Sequence, residues 1–142
     1  MGSSYFDEAV DRYHRAMEEV GRGNPELLGK MLSHRDDVSI AGGFGGVMRG
    51  WEQVWKNTQF AASRFKGAEA HFEGVVRFAI SDLGYIVEIE RFEAKLAGVE
   101  GIAPVVLRVT TIFRREEGIW KVVHRHGDPI VSSQPVDSVV QR

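Results

Sequence analysis

The chain has 142 residues with 20 acidic and 18 basic side chains, which gives a formal net charge of −2. This length predicts a single domain. The slightly acidic balance argues against a nucleic-acid binder, which usually carries a strongly basic surface. The absence of cysteine excludes disulfides, cysteine-bound zinc, iron–sulfur clusters and thiol nucleophiles.

Hydrophobic segments are short throughout the chain. No apolar run approaches the ~18 residues that are needed to cross a bilayer. Residues 1–6 also lack the charged and apolar regions of a secretory signal. We therefore expect a cytoplasmic protein whose partners include neither a membrane nor a nucleic acid.

Three helices are predicted in the first half of the chain. Apolar residues recur every three or four positions over residues 5–20, which is typical of an amphipathic helix. A second helix is predicted to start at Asn24 and Pro25, since asparagine caps helices well and proline suits the first helical position. A third is predicted over residues 51–65. A short hairpin precedes the third helix, with a strand at 38–41, a glycine-rich turn at 42–46 and a returning segment at 47–49.

Alternating patterns from residue 68 onward predict antiparallel strands, which cover residues 68–80, 85–96, 105–114 and 119–127. In the second of these strands the apolar residues switch from odd to even positions, which predicts a β-bulge or a sharp bend near Glu90 and Arg91. Glu88, Glu90 and Glu93 are interpreted as a solvated or interface edge.

Helices followed by antiparallel strands predict an α+β fold in one domain spanning residues 1–142. Its core is expected at about 5–129, and the polar segment 130–142 is expected to be a loose tail. The last two strands are apolar on both faces, whereas a sheet with one wet face should alternate more strictly. We therefore expect helices on the concave face and a second copy of the chain on the convex face, which gives a homodimer.

The end of the predicted sheet carries a family pattern. Two arginines, two acids and a glycine at 114–118 are followed by Trp120 and by the pair His124 and His126, and residues 23–28 match the usual start of the second helix. Over residues 5–129 the chain resembles the SnoaL-like members of the nuclear transport factor 2-like superfamily. That superfamily includes ketosteroid isomerase, scytalone dehydratase and the association domain of calcium/calmodulin-dependent kinase II. The resemblance implies a cone-shaped barrel in which a strongly bent antiparallel sheet wraps around three N-terminal helices. It also implies a dimer and a deep pocket.

The resemblance does not extend to the ketosteroid isomerase site. That enzyme needs a carboxylate base and an oxyanion hole built from a tyrosine and a protonated aspartic acid. The base would fall at Gly42, which has no side chain to accept a proton. The buried acid would fall near Val109, whose side chain cannot donate a hydrogen bond. Tyr13 lies one helical turn before the position expected for the tyrosine. These departures argue against steroid isomerase chemistry in its known form.

Four residues remain as catalytic candidates: His124, His126, Tyr13 and Asp128. His124 and His126 lie two apart on a strand and so share one face, and histidine suits proton transfer near neutral pH. Hydrogen bonding to the backbone or to a partner subunit is the alternative role. With Asp128 the pair could also hold a metal, but the family resemblance implies neither a metal nor another cofactor, and we expect none.

A pocket for a small apolar or aromatic ligand is predicted on aromatic and polar residues, with plain core packing as the alternative for each aromatic one. The candidates are Trp51, Trp55, Phe72, Tyr85, Arg91, Thr111 and Phe113. Arg91 could recognise a carboxylate or an enolate. Alternatively, it could pair with Glu90 and fasten the bend of the strand.

Two kinds of function follow from these expectations. One is acid/base isomerase, cyclase or lyase chemistry, without a cofactor, on a hydrophobic substrate of aromatic or polyketide type. The other is a non-catalytic ligand-binding or oligomerisation module, which the missing base at Gly42 favours. An open cavity lined by at least two titratable groups would indicate chemistry, and a sealed apolar one would indicate a module.

Overall fold

A computed structural model describes residues 2–141, with side chains from Tyr5 to Gln141. The chain begins with three helices: α1 (Gly2–Gly21), α2 (Glu26–Met31) and α3 (Trp51–Arg64). A short hairpin of β1 (Ser39–Gly42) and β2 (Gly45–Arg49) lies between α2 and α3. The remaining strands are β3 (Phe65–Ile80), β4 (Leu83–Leu96), β5 (Ile102–Glu116) and β6 (Ile119–Asp128). Residues 130–141 are exposed and contain one short 3-10 turn, Val136–Val139. No helix among residues 2–141 is both long and apolar enough to span a membrane.

The strands form one curled sheet in the order β2-β1-β6-β5-β4-β3. This arrangement confirms the α+β cone fold. Two details differ from the expectation of an antiparallel barrel. Strand β1 runs parallel to β6, and β2 and β3 remain as edges, so the sheet does not close among the described residues. The parallel pair is possible because β1 and β6 are far apart in the chain and need no tight turn between them.

The helices cover the concave face of the sheet, as expected. The apolar stripe of α1 is buried against the sheet, and its residues Phe6, Val10 and Tyr13 are 1%, 0% and 0% exposed. Phe6 and Tyr13 both contact the ring of Phe113 edge to face. The helical period of residues 5–20 therefore identified the face that packs against the sheet.

Strand β4 contains no bulge at Glu90 and Arg91, so the prediction of a bulge there was wrong. Its pairing with β5 is continuous from Leu83 to Lys95. Every even-numbered residue from Gly84 to Ala94 is buried. The apparent switch of faces arose because Glu88 and Glu90 occupy the inward positions, while apolar residues occupy the outward positions beside them.

The expectation of a solvated glutamate edge was therefore also wrong for two of its three members. Glu88 is 3% exposed and Glu90 is 0% exposed. Only Glu93 lies on the outer face, where it binds Arg91. Carboxylates are buried at this depth only when other groups compensate their charge and hydrogen bonds, and these partners come from distant elements.

Bulges do occur, but in the flanking strands. One of them lies in β3 between Gly74 and Val76, and another lies in β6 opposite the step from Ile112 to Phe113. Each inserts one residue and so exchanges the two faces of its strand. In β6 this exchange turns Arg125 inward.

Candidate ligand-binding site

A cavity lies between the three helices and the concave face of the sheet. It contains about 700 Å³ of empty space, including the solvent at its mouth beside the exposed ring of Phe44. Most of its wall is apolar, formed by residues such as Met17, Phe65, Phe92 and Leu107. The polar residues of the wall are Asn57, Thr58 and Arg125. A largely apolar pocket with few polar groups is typical of small-molecule sites.

Two glycines help to keep the cavity open. A Cβ atom on Gly42 would lie 3.3 Å from the Asn57 amide nitrogen, and one on Gly43 would lie 3.2 Å from the Leu107 side chain. Gly42 lines the cavity. The position at which the family resemblance placed a catalytic base thus faces the pocket and carries no side chain.

A buried polar network lies behind one end of the cavity, and Arg125 is its member that lines the wall. Arg125 donates a hydrogen bond from Nε to the Tyr13 hydroxyl at 2.9 Å and another from Nη2 to Glu90 Oε1 at 2.7 Å. Tyr13 donates to Glu90 Oε2 at 2.7 Å and accepts from Thr111 at 3.2 Å. The Tyr13 oxygen thereby uses its one proton and both lone pairs.

Burial sets the protonation of this network. Burial raises the pKa of Tyr13 far above its ordinary value, so the phenol remains neutral. Burial opposes the charge on Arg125, but Glu90 and Tyr13 together outweigh it and raise the pKa of the guanidinium above its ordinary value. Arg125 therefore remains a cation and cannot transfer a proton at physiological pH.

Two polar side chains of the wall retain hydrogen-bonding capacity. Nη1 of Arg125 forms no hydrogen bond within residues 2–141, since only Nε and Nη2 are engaged. The Asn57 amide likewise has no hydrogen-bond partner in the described part of the chain, and it lines the same cavity. The Thr58 hydroxyl, by contrast, donates to the backbone oxygen of Val54. A ligand oxygen would therefore find donors at Arg125 and Asn57.

A second buried pair adjoins the network. His14 Nε2 lies 2.8 Å from Glu88 Oε2, and the imidazole stacks on Phe72 with ring centroids 4.1 Å apart. Burial raises the pKa of Glu88, and the hydrogen bond from His14 partly opposes that shift. The nearby Glu90 raises the pKa of Glu88 further. Neither His14 nor Glu88 lines the cavity.

Comparison with known families identifies the chain. The family model of the SnoaL-like domain matches residues 7–132. The chain belongs to the SnoaL-like family. This membership confirms the resemblance read from residues 114–126.

Solved structures with the same fold carry several descriptions. A proposed dehydratase of the nuclear transport factor 2-like family from Streptomyces avermitilis is 19% identical with a TM-score of 0.75, over 91% of this chain and 96% of that one. A ketosteroid isomerase-like protein from Erwinia carotovora atroseptica is 13% identical with a TM-score of 0.75, over the same shares of the two chains. A proposed calcium/calmodulin-dependent kinase II association domain from Thiobacillus denitrificans is 17% identical with a TM-score of 0.70, over 87% and 93%. No curated protein matches the sequence. At these identities the likeness concerns the fold alone.

The SnoaL-like domain places three of its four catalytic candidates on the convex face. His124 Nδ1 lies 2.8 Å from the Ser39 hydroxyl, and partial burial lowers the pKa of this histidine. His126 lies 3.1 Å from Asp128, which also binds Arg108 at 2.7 Å. Only the fourth candidate, Tyr13, belongs to the network behind the cavity. No cluster of metal-ligating side chains is found among residues 2–141.

The residues proposed to bind substrate lie outside the cavity wall. Tyr85 and Arg91 are on the outer face of β4, and Arg91 binds Glu93 at 2.7 Å instead of fastening Glu90. The remaining five make other contacts: Trp51 stacks on His34 and on Trp55, Phe72 stacks on His14, Phe113 packs against Phe6, and Thr111 donates to Tyr13.

Sequence reasoning missed Arg125, Glu90 and Asn57. One signal was present for Glu90, because it shares the even positions of β4 with the apolar residues Phe92 and Ala94. Arg125 was hidden by the bulge in β6, which places the two flanking histidines outward. Asn57 occupies the helical face between Val54 and Ala61, and nothing in the sequence separates it from a surface position.

Proposed function

We propose that this SnoaL-like domain binds a small, mainly apolar molecule in its cavity and carries out no proton transfer on it. The observation that carries the proposal is the makeup of the wall. Its one ionisable side chain among the described residues is Arg125, which remains charged. The groups that could move a proton, Tyr13 and Glu90, are 0% exposed and bonded to one another. This supports the binding module over the acid/base enzyme.

The polar end of the cavity favours a neutral oxygen on the ligand. Arg125 and Asn57 offer donors there, so a carbonyl or hydroxyl oxygen can accept a hydrogen bond. The charge of Arg125 is already neutralised by Glu90 at 2.7 Å. A ligand carboxylate would add a further negative charge to a poorly solvated site, which is costly.

Acetophenone, ethylbenzene and benzoate test this proposal, because they share a ring and differ in their polar group. Isothermal calorimetry should show acetophenone binding at least tenfold more tightly than ethylbenzene or benzoate. Ala61→Phe should fill the cavity and abolish binding, whereas Gln59→Phe on the exposed side of the same helix should not. Asn57→Leu should weaken acetophenone but not ethylbenzene.

Two results would contradict the proposal. Equal affinity for acetophenone and ethylbenzene would eliminate the role of Arg125 and Asn57. Unchanged binding in Ala61→Phe would place the ligand elsewhere on the molecule.

Acid/base isomerase, cyclase or lyase chemistry is the second candidate. One observation favours it, since Tyr13 and Glu90 bind Arg125 directly and a ligand that displaced the guanidinium would uncover a phenol and a carboxylate. A crystal structure with acetophenone bound distinguishes the two candidates. An unmoved Arg125 supports simple binding, and a displaced one supports chemistry.

We also propose that two copies associate through the convex face of the sheet. Val76, Phe78 and Tyr85 form an apolar strip there, at 42%, 52% and 38% exposure. Phe78 and Tyr85 are directly paired across β3 and β4. Exposed apolar patches of this kind mark interaction surfaces. Light scattering at micromolar concentration should give a dimer for the wild type and a monomer for Phe78→Glu, while Phe60→Glu on helix α3 should remain dimeric.

A further inference from the structure

A second, shallower groove lies on the outer side of the helices, where α1, α2 and the start of β6 meet. It contains about 640 Å³ of space, including open solvent. It shares no lining residue with the cavity described above. The groove and the cavity are therefore two separate sites.

The lining of this groove is strongly basic. Arg12 and Arg15 on α1, Lys30 on α2 and Lys121 on β6 contribute four positive charges, and no acidic residue lines the groove. The whole chain carries a net charge of −2, so this is a local concentration of one sign. None of the four cations forms a salt bridge within residues 2–141, whereas Arg22, Arg77 and several other arginines do.

The cations come in two pairs of neighbours. Lys121 Nζ donates a hydrogen bond to the backbone oxygen of Lys30 at 2.7 Å, which ties β6 to α2. Arg12 and Arg15 are three residues apart on α1 and therefore project from adjacent positions of one helix face. Like charges at this separation repel one another, so an anion between them would remove an unfavourable interaction.

The wall of the groove contains a buried donor without a partner. Trp120 lines the groove and is 4% exposed. Its Nε1 is the one buried side-chain nitrogen or oxygen that lacks a hydrogen-bond partner in the described part of the chain. Such a donor is destabilising while it lacks an acceptor. The nitrogen itself is inaccessible to solvent, so an oxyanion in the groove would provide the acceptor only if the indole ring turned toward it.

We propose that this groove is a binding site for a small organic phosphate that carries more than one negative charge. A single guanidinium group can donate two parallel hydrogen bonds to the oxygens of one phosphate. Several cations in one groove favour an anion that carries more than one negative charge. Leu27 and Ile119 supply an apolar floor for the organic part of the ligand. In the adjoining depression Arg12 is flanked by Glu8, and this negative charge disfavours a long polyanion.

The test is a titration of the full chain with inorganic pyrophosphate, followed by 1H-15N NMR at low ionic strength. Pyrophosphate should cause saturable shifts in the groove residues and move the Trp120 indole N–H signal downfield. The indole signals of Trp51 and Trp55 should stay in place. Sodium chloride at the same ionic strength controls for general salt effects.

Exposed arginines provide matched variants that leave the core intact. Arg12→Gln combined with Arg15→Gln should weaken pyrophosphate binding at least tenfold. Arg49→Gln combined with Arg64→Gln, which lie outside the groove, should not change it. The proposal is overturned if pyrophosphate causes no saturable shift, if the Trp120 signal does not respond, or if both double variants bind equally.

Discussion

Each face of the sheet carries some residues of a type that is unusual at that exposure. The concave face, covered by helices, contains Glu88, Glu90 and Arg125 among its buried residues. The convex face, which no helix among residues 2–141 covers, exposes Phe78 and Ile80 at 52% and 63%. Charged residues are almost never fully buried unless they are paired, and large apolar residues at this exposure favour association.

This difference shows that the polarity of a side chain does not by itself decide whether the side chain is buried. The groups that it contacts matter as well. Glu90 tolerates the interior because Arg125 and Tyr13 satisfy both of its oxygens. Phe78 tolerates exposure in a single chain, and we attribute its presence to the proposed dimer. Variants on the two faces should therefore behave differently even where the chemical change is similar.

The largest effect is expected for Arg125→Met on the concave face. The change leaves the Glu90 carboxylate buried without its cation, which typically costs 3–5 kcal/mol. Urea denaturation should show this loss in the free energy of unfolding. The double variant Arg125→Met with Glu90→Gln should recover much of it, because no unpaired charge remains. A double variant as unstable as the single one would contradict this account.

A pH-dependent effect is expected from Glu88, which faces His14 and Glu90. Its pKa is raised in the folded protein by burial, above an ordinary value of 4.5. The folded state therefore retains a proton that the unfolded state has lost, and stability falls as pH rises from about 4.5 through the raised pKa, with a limiting slope near 1.4 kcal/mol per pH unit.

The matched variant is Glu88→Gln, which keeps the size and a polar group for His14 but does not titrate. Denaturation curves collected between pH 4 and pH 9 should show a smaller decline than the wild type. Identical pH profiles for the two proteins would mean that Glu88 does not contribute to the decline.

Thr111→Val should have a moderate effect. The variant removes the hydroxyl that donates to Tyr13 at 3.2 Å and preserves the shape of the side chain. Tyr13 retains its bonds to Glu90 and Arg125, so no buried group loses all of its partners. The expected loss is about 1 kcal/mol in the free energy of unfolding, and a loss near that of Arg125→Met would show that the network depends on this hydroxyl.

The smallest effect is expected for Arg91→Ala on the convex face. Arg91 binds Glu93 at 2.7 Å, but their side chains are 50% and 38% exposed. Exposed ion pairs typically contribute less than about 1 kcal/mol. Chemical denaturation of Arg91→Ala beside Arg125→Met gives the direct comparison of an arginine on each face. Similar losses would remove the distinction between them.

Several features of the fold were predictable because they depend on short-range patterns. The apolar period of residues 5–20 identified helix α1 and its buried stripe, and the alternation from residue 68 onward identified the long strands. The family pattern over residues 114–126 pointed to the SnoaL-like fold. Tyr13 was recognised as a candidate on the strength of that resemblance.

The candidate site was less predictable, because a single-residue insertion in β6 decides which of its side chains face inward. The bulge opposite Ile112 and Phe113 exchanges the faces of β6, so Arg125 enters the interior and His124 and His126 remain outside. The pattern of polar and apolar residues does not reveal this exchange. Val122 and Val123 are both apolar, so the sequence does not show at which of them the strand changes face.

The sequence by itself determined the helices, the strands, the glycine turn beside the cavity and the absence of a carboxylate at Gly42. Only the tertiary structure decided that Glu88 and Glu90 are buried. The physical reason is that a carboxylate is stable in the interior only beside its partners. Those partners are Tyr13, His14 and Arg125, which lie far from the two glutamates along the chain and meet them only when the sheet curls around helix α1.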